Sequence, residues 1–334
     1  MIVKVTDYIE KDLDWEAEEC RNHGIEFSSN QLLEAEPDSV VDYAASADFI
    51  VINQVRLPDD VLARLTGVGV IMRHGAGYDN IDIDAATSHG ILCAYQPGIW
   101  SEEVAEHALT LMLAAWRKVR LQQAAMGPSI EQRQWQMEPI KPIFRLSDKT
   151  IGIVGCGSIG SLVLRKVRGL CGRVLVCDPY LSDRRKTELS IETVPFETVL
   201  EESDIVTIHV PHTKETEGMF DRDAFARMKS RAVLVNTARG PIVNADDLAE
   251  ALRNDAITGV GIDVYPGEIP DAGFPLLGID TVLLTPHTAW YSEEALWDMR
   301  KSIMDDVLRV QSGGLPKHMV NPEVLERENS RLAR

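Results

Sequence analysis

An α/β protein of two doubly wound parallel-sheet domains, one inserted into the other, is what this sequence predicts. Three observations carry that expectation. Short β-rich runs alternate with helical patterns from residue 2 to about 100, the alternation of a doubly wound sheet. A second β/α series begins at Thr150 and runs to about Leu284. The last long helical pattern, Ser292 to Gln311, has no strand after it, so it is expected to pack back on the N-terminal domain and make that domain discontinuous. With 334 residues, 45% of them hydrophobic, the chain has apolar material for two cores.

In chain order, Ile2 to Val5, Ile25 to Ser28, Phe49 to Asn53, Val68 to Met72 and Ile91 to Tyr95 read as strands. Between them Trp15 to Asn22, Asp38 to Ala47, Pro58 to Leu65 and Ile83 to Ser88 read as helices. One long helix is expected from Glu102 to about Ala125, because Val104, Ala108, Leu111, Met112 and Ala115 follow a helical period. Gly127-Pro128 is expected to end it. The second series has strands at Thr150 to Val154, Arg173 to Cys177, Ile205 to Val210, Ala232 to Asn236, Thr258 to Asp263 and Val282 to Leu284. Arg327 to Arg334 reads as a charged, frayed tail.

Composition narrows the function classes. Against 52 Asp plus Glu stand 34 Lys plus Arg, a net charge of -18, and no basic patch offsets the repulsion of polyanions. Nucleic acid is therefore not an expected partner. No signal-type apolar region opens the chain, and the longest near-continuous apolar run, Ala108 to Trp116, is half a membrane span. A cytoplasmic, membrane-free protein is the expectation. The five cysteines, Cys20, Cys93, Cys156, Cys171 and Cys177, form no C-x-x-C pair and read as buried reduced thiols. No histidine falls in a metal-ligand spacing, so no metal site is expected.

The strand at Ile151-Gly152-Ile153-Val154 runs into Gly155-Cys156-Gly157-Ser158-Ile159-Gly160 and then a helical pattern, Ser161 to Leu170. A glycine loop between strand and helix allows a tight turn and lets a pyrophosphate approach the backbone at the positive end of the helix dipole. Asp178 ends the next strand, about 20 residues on, where a carboxylate accepts from a ribose 2'-hydroxyl and repels a 2'-phosphate. NAD is thus expected over NADP, although Arg184 and Arg185 lie close by.

Three later segments place polar residues where strands end, the edge at which open α/β sheets bind ligands. They are Val235 to Gly240, Gly261 to Glu268, and Thr285-Pro286-His287. Arg239, Glu268 and His287 could supply a carboxylate clamp, an acidic orienter and a proton carrier. They read equally as a surface ion pair and a loop histidine.

Together these stretches resemble the D-isomer-specific 2-hydroxyacid dehydrogenase family over nearly the whole chain. The matching runs are R-H-G-A-G-Y-D-N-I-D (Arg73 to Asp82), S-E-E-V-A-E-H (Ser101 to His107), G-C-G-S-I-G, H-V-P (His209 to Pro211), N-T-A-R-G, D-V-Y-P-G-E and P-H. The resemblance implies a Rossmann NAD-binding domain, residues 101–289, inserted into a discontinuous flavodoxin-like substrate domain, residues 1–100 plus 290–334. It implies Arg239, Glu268 and His287 as the catalytic trio. It assigns Gly155, Gly157, Ser158, Ile159, Gly160, Asp178, Val210, Pro211, Thr237, Ala238 and Asp263 to the cofactor. Within the family, P-H-T-A-W-Y-S-E-E-A and the opening of R-H-G-A-G-Y-D-N look most like the C-terminal-binding-protein branch. That likeness implies that Arg73 contacts the substrate carboxylate and that Trp290 lines the pocket; Arg239 and the backbone N–H groups of Gly75, Ala76 and Gly77 are expected to hold the carboxylate and carbonyl of the substrate. His212, and Tyr95-Gln96 with Trp100 around Pro97-Gly98, depart from common family patterns and bear on the substrate. Glu268 argues against a formate dehydrogenase, which lacks the catalytic glutamate. No appended regulatory domain of the kind many phosphoglycerate dehydrogenases carry is expected.

The expected activity is hydride transfer between NAD and C2 of a small 2-hydroxy or 2-oxo acid, with His287 as acid/base and the D-isomer implied by resemblance. His74, beside the carboxylate loop, suits a second anion, and Trp290 an apolar tail. A homodimer through the cofactor domain and the helix beginning near Ser101 is also implied. The alternative is an NAD(H)-sensing scaffold or corepressor-like protein, which would keep the same trio; the lack of a long disordered extension weighs against it.

Overall fold

The computed structural model describes residues 1–332, which fall into two compact units, Met1–Ile99 with residues 292–332, and Trp100–Tyr291. In the first, strands β1 (Ile2–Val5), β2 (Glu26–Ser29), β3 (Phe49–Ile52), β4 (Val70–Arg73) and β5 (Leu92–Ala94) alternate with helices α1 (Asp14–Asn22), α2 (Pro37–Ala44), α3 (Asp59–Leu62) and α4 (Ile83–Ser88). All pairings are parallel, in the order β2-β1-β3-β4-β5, the flavodoxin-like order. Phe49, Ile50, Val51 and Ile52 are all buried, as a parallel strand covered on both faces requires.

The second unit opens with α5 (Ser101–Trp116) and α6 (Val119–Gln132), where one helix was expected. The break is at Lys118, which adopts a left-handed conformation (φ 54°). Tertiary anchors on either side account for it. The Trp116 indole N–H donates to the Phe144 carbonyl (3.0 Å), and Arg120 Nη1 donates to the carbonyl of Val282 (2.6 Å). Gly127-Pro128, the expected terminator, lies inside α6. Ala124, whose carbonyl Pro128 cannot serve, is exposed to water, and Ser129 Oγ donates to the Ala125 carbonyl (2.6 Å).

Then follow β6 (Thr150–Val154), α7 (Ser158–Val167), β7 (Arg173–Cys177), α8 (Asp183–Leu189), α9 (Phe196–Glu202), β8 (Ile205–Ile208), α10 (Arg222–Arg227), β9 (Val233–Asn236), α11 (Ala245–Arg253), β10 (Gly259–Ile262) and β11 (Val282–Leu284). The sheet is parallel throughout, ordered β11-β10-β9-β8-β6-β7. Beyond β7 a single parallel bridge, Val176 to Thr193, marks a seventh strand reduced to one residue. Counting it, the order becomes that of a Rossmann sheet, with its topological switch between β6 and β8. Asp221 and Asn244 cap α10 and α11 with side-chain oxygens, each cap worth about 1 kcal/mol.

The chain returns to the first unit through α12 (Glu293–Gln311), begun by a Ser292 side chain that accepts from Ala295 N. There α12 meets α1: Arg300 forms paired bonds to Glu16 (2.6 and 2.7 Å), and Trp297 lies against Trp15. The segment expected to fray is ordered as far as it is described. Ser330 is buried, Arg331 N donates to the Gly90 carbonyl (3.0 Å), and its guanidinium donates to the carbonyls of Leu65 and Val68. Residues 333 and 334 lie outside the described residues. All five cysteines are free; Cys20, Cys93 and Cys156 are buried, Cys171 and Cys177 partly so. Among the described residues no helix is long and apolar enough to cross a membrane.

Candidate active site

In the second unit the carboxyl ends of β6 and β8 diverge at the switch point, where open α/β sheets leave a crevice. The glycine loop occupies that position. Gly155 is left-handed (φ 88°), and a Cβ on it would come within 2.7 Å of the His209 carbonyl at the end of β8. A Cβ on Gly160 would lie 2.0 Å from the Gly155 carbonyl, so α7 seats directly on the strand. Gly157 differs from both: a Cβ there meets nothing within 4 Å. It caps a ten-residue helix whose first amides have no intrahelical acceptor, with Ser158, Ile159 and Gly160 as its first turn. Open space at the positive end of a helix is what a pyrophosphate needs.

Asp178, just past β7, accepts from Cys156 N through Oδ2 (2.8 Å) and from Tyr180 N through Oδ1 (3.0 Å). The loop is thereby tied to the carboxylate expected to receive the ribose. Arg184 and Arg185 both pair with Glu188 of their own helix (2.9 and 3.0 Å), which reduces their availability to a 2'-phosphate. Just past β9 the Thr237 hydroxyl is buried without a partner among the described residues, an acceptor and donor still to be satisfied. These features fit a dinucleotide. His209, Val210 and Pro211 follow β8 in turn, with His209 and Val210 beside Gly155, and burial pushes the His209 imidazole down to about 3, so that ring is neutral.

The three polar segments after β9, β10 and β11 come together in this unit. Asn236 fixes the first: its Oδ1 accepts from Ala238 N (2.9 Å) and its Nδ2 donates to the Arg239 carbonyl (2.8 Å). Gly240 lets this turn touch the second, since a Cβ there would lie 2.1 Å from the Tyr265 carbonyl carbon. Glu268 Oε2 lies 2.5 Å from His287 Nδ1, with both residues partly exposed. Both hold left-handed backbone conformations, φ 71° and 53°, which non-glycine residues keep only where the surroundings enforce them.

Asp263 and Tyr265 are the enforcing groups, and sequence reasoning did not assign them this task. Asp263, fully buried, accepts from Thr285 Oγ1 (2.6 Å), Thr288 N (3.0 Å) and Ala289 N (2.9 Å), which bracket His287. The Tyr265 hydroxyl donates to the Thr285 carbonyl (2.8 Å). Burial, with the Asp263 charge, raises that phenol to about 12. Trp290 packs against Trp100 (5.6 Å between ring centres) and Tyr291 (5.4 Å).

In the first unit Arg73 ends β4, and its Nη1 donates to Asn53 Oδ1 (3.2 Å) and to the His74 carbonyl. Gly75 N donates to the Arg73 carbonyl (2.8 Å), so Ala76 and Gly77 carry what the loop can offer an anion beyond that amide. The expectation that His74 suits a second anion is corrected. His74 is buried, and its Nε2 lies 2.8 Å from Glu10 Oε1, a carboxylate of the same unit. Burial raises the Glu10 carboxyl, but the His74 bond and charge and the amide of Ile9 outweigh it and hold it below the usual range.

Residues 109–289 match the family described as D-isomer specific 2-hydroxyacid dehydrogenase, NAD binding domain. A D-3-phosphoglycerate dehydrogenase of Archaeoglobus fulgidus is 36% identical over 277 residues, covering 83% of this chain and 52% of that protein. A glyoxylate reductase of Korarchaeum cryptofilum is 35% identical over 260 residues, 77% of each chain. The chain spans about half the length of the phosphoglycerate dehydrogenases it matches. Among solved structures, the TT0316 protein from Thermus thermophilus aligns over 96% of this chain and 100% of its own at 29% identity, TM-score 0.84. The apo-structure of D-lactate dehydrogenase from Escherichia coli gives 28% identity with the same coverage and a TM-score of 0.80.

Proposed function

Because the chain belongs to the D-isomer-specific 2-hydroxyacid dehydrogenase family, with residues 109–289 in its NAD-binding domain, we propose that it is an NAD-dependent 2-oxoacid reductase. The observation that carries this reading is the Glu268–His287 pair, 2.5 Å apart in the unit that holds the glycine loop. Glu268 occupies Nδ1, which leaves Nε2 as the nitrogen that hands a proton to the substrate carbonyl oxygen. The Arg239 guanidinium stabilises charge developing on that oxygen. NADH supplies the hydride to C2 when bound. In the reverse direction neutral His287 takes the proton back from the hydroxyl.

Arg73 and the amides of Ala76 and Gly77 are proposed to receive the substrate carboxylate, with Gly75 setting the turn. Trp290 is proposed to bound the substrate's tail, as in the C-terminal-binding-protein branch that the run Pro286 to Ala295 resembles. A homodimer and a cytoplasmic location complete the reading.

The test is a screen of glyoxylate, hydroxypyruvate, 3-phosphohydroxypyruvate and 4-methylthio-2-oxobutyrate with NADH and NADPH. At least one acid should be reduced, and NADH should be preferred by about tenfold or more in kcat/KM, a margin of about 1.4 kcal/mol. No turnover of any acid alongside tight NADH binding would favour the NAD(H)-sensing scaffold instead.

A further inference from the structure

We propose that His107 is a positioning residue for the acid/base turn, acting through the Thr285 hydroxyl and the buried Asp263 carboxylate. The inference rests on the reading of His287 as proton carrier. His107 is on α5, at the end of the S-E-E-V-A-E-H run, and only about a quarter of its side chain is exposed. Its Nε2 lies 2.9 Å from Thr285 Oγ1 and 3.5 Å from Asp263 Oδ1.

The direction of these bonds follows from the donor inventory. A carboxylate only accepts, so the single Thr285 hydroxyl proton is committed to Asp263 Oδ1, 2.6 Å away. The hydroxyl oxygen must then accept from His107, which fixes the Nε2–H tautomer. The chain of donors runs from α5 through Thr285 to Asp263, and the same carboxylate receives the amides of Thr288 and Ala289. His287 sits between those anchors in its left-handed conformation, with Thr285 two residues before it and the two amides just after.

Without an N–H at position 107, the Thr285 hydroxyl is free to turn away and Asp263 loses its nearest side-chain donor. The turn then keeps its amide bonds but not its orientation. Proton transfer requires the imidazole in place to a fraction of an ångström, so the loss should appear in kcat.

His107→Phe keeps the ring volume without a donor, and His107→Gln returns an N–H close to the Nε2 position. Steady-state reduction of glyoxylate and hydroxypyruvate by NADH is measured for both, with Thr285→Val and the double variant H107F/T285V. Expected for H107F is a fall in kcat of about 10- to 100-fold with KM within about threefold, comparable to the cost of a small misplacement. NADH binding, read by fluorescence titration, should not change. H107Q should recover most of the loss, T285V should resemble H107F, and the double variant should be no worse than either alone, since both cut one relay. Should H107F fail to fold, the comparison of T285V with H107Q/T285V carries the same coupling.

A wild-type chain that is active while H107F keeps near-full kcat overturns the inference alone. So do equal losses in H107F and H107Q, or additive losses in the double variant, either of which makes His107 a packing residue. A His287→Ala chain with near-full turnover removes the reading beneath the inference and the inference with it.

Discussion

The two parallel sheets end differently at their carboxyl edges. In the first unit the chain's own side chains take up much of the edge. Asp7 accepts the amides of Asn53, Gln54 and Val55 (2.9, 2.6 and 3.1 Å), His74 pairs with Glu10, and Gln96 joins Asp306 and Ser302 (3.0 and 2.6 Å). In the second unit the corresponding edge keeps more capacity unspent: Gly157 faces open space and the Thr237 hydroxyl has no partner among the described residues. Strand ends always expose backbone donors and acceptors. Whether they serve the fold or a ligand depends on whether neighbouring side chains consume them first.

The sharpest break of that comparison is at His287, where the second unit spends side-chain bonds on one turn. His287→Ala should lower kcat by about 10² to 10⁴, the range for a general acid-base group, with NADH binding nearly unchanged. Glu268→Gln should lower kcat by about tenfold, less than His287→Ala, because the amide can still bond Nδ1 but no longer sets a carboxylate against the ring. A Glu268→Gln chain with the kcat of the wild type would return Glu268 to a surface contact.

A smaller effect separates glycines of the open edge from glycines of packing. Gly157→Ala should fold with an unchanged Tm, since its Cβ meets no atom of the chain, yet weaken NADH binding by about tenfold or more, about 1.4 kcal/mol. Gly160→Ala should lose stability and binding together, because its Cβ would lie 2.0 Å from the Gly155 carbonyl. Thermal melts paired with NADH fluorescence titrations distinguish the two. Matching losses of Tm in both variants would show that the space at Gly157 serves folding.

What was legible in the sequence follows from how local each cause is. Buried parallel strands must be continuous apolar runs, so Phe49 to Ile52 and Val233 to Asn236 declare themselves, and a glycine loop between strand and helix is a local pattern. The break at Lys118 is not local: it depends on Phe144 and Val282 holding Trp116 and Arg120. The ordered C-terminal segment was missed because Arg331 bonds to carbonyls more than 260 residues earlier in the chain. His74 was misread for the same reason, its partner lying 64 residues away. The segments carrying Arg239, Glu268 and His287 were found as motifs. Asp263 and Tyr265 lie in one of those motifs, with Asp263 expected at the cofactor, but their hold on the His287 turn is not legible there, because a side chain that serves another residue's backbone leaves no spacing to read.

The smallest expected effect concerns acid stability and the neutral imidazole at the open edge. His209 ends β8 with Nε2 3.0 Å from Thr207 Oγ1 and a buried Nδ1 that has no partner among the described residues. Burial holds it at about 3 against an ordinary 6.5, so the folded chain keeps it neutral where the unfolded chain takes up a proton. Its contribution is complete above pH 6.5 and is lost as pH falls through that value towards 3. Between pH 6.5 and 5 the linkage amounts to about 1–2 kcal/mol, a few degrees of Tm for a chain of this size. The carboxylate Glu10 of the first unit behaves differently: its contribution starts to fall only below the ordinary 4.5 of a glutamate. The change in Tm between pH 7 and pH 5 should therefore be smaller in His209→Asn than in the wild type. If His209→Asn loses as much Tm on acidification as the wild type, the imidazole is reachable by protons in the folded state, and the second sheet's edge is wetter than its packing implies.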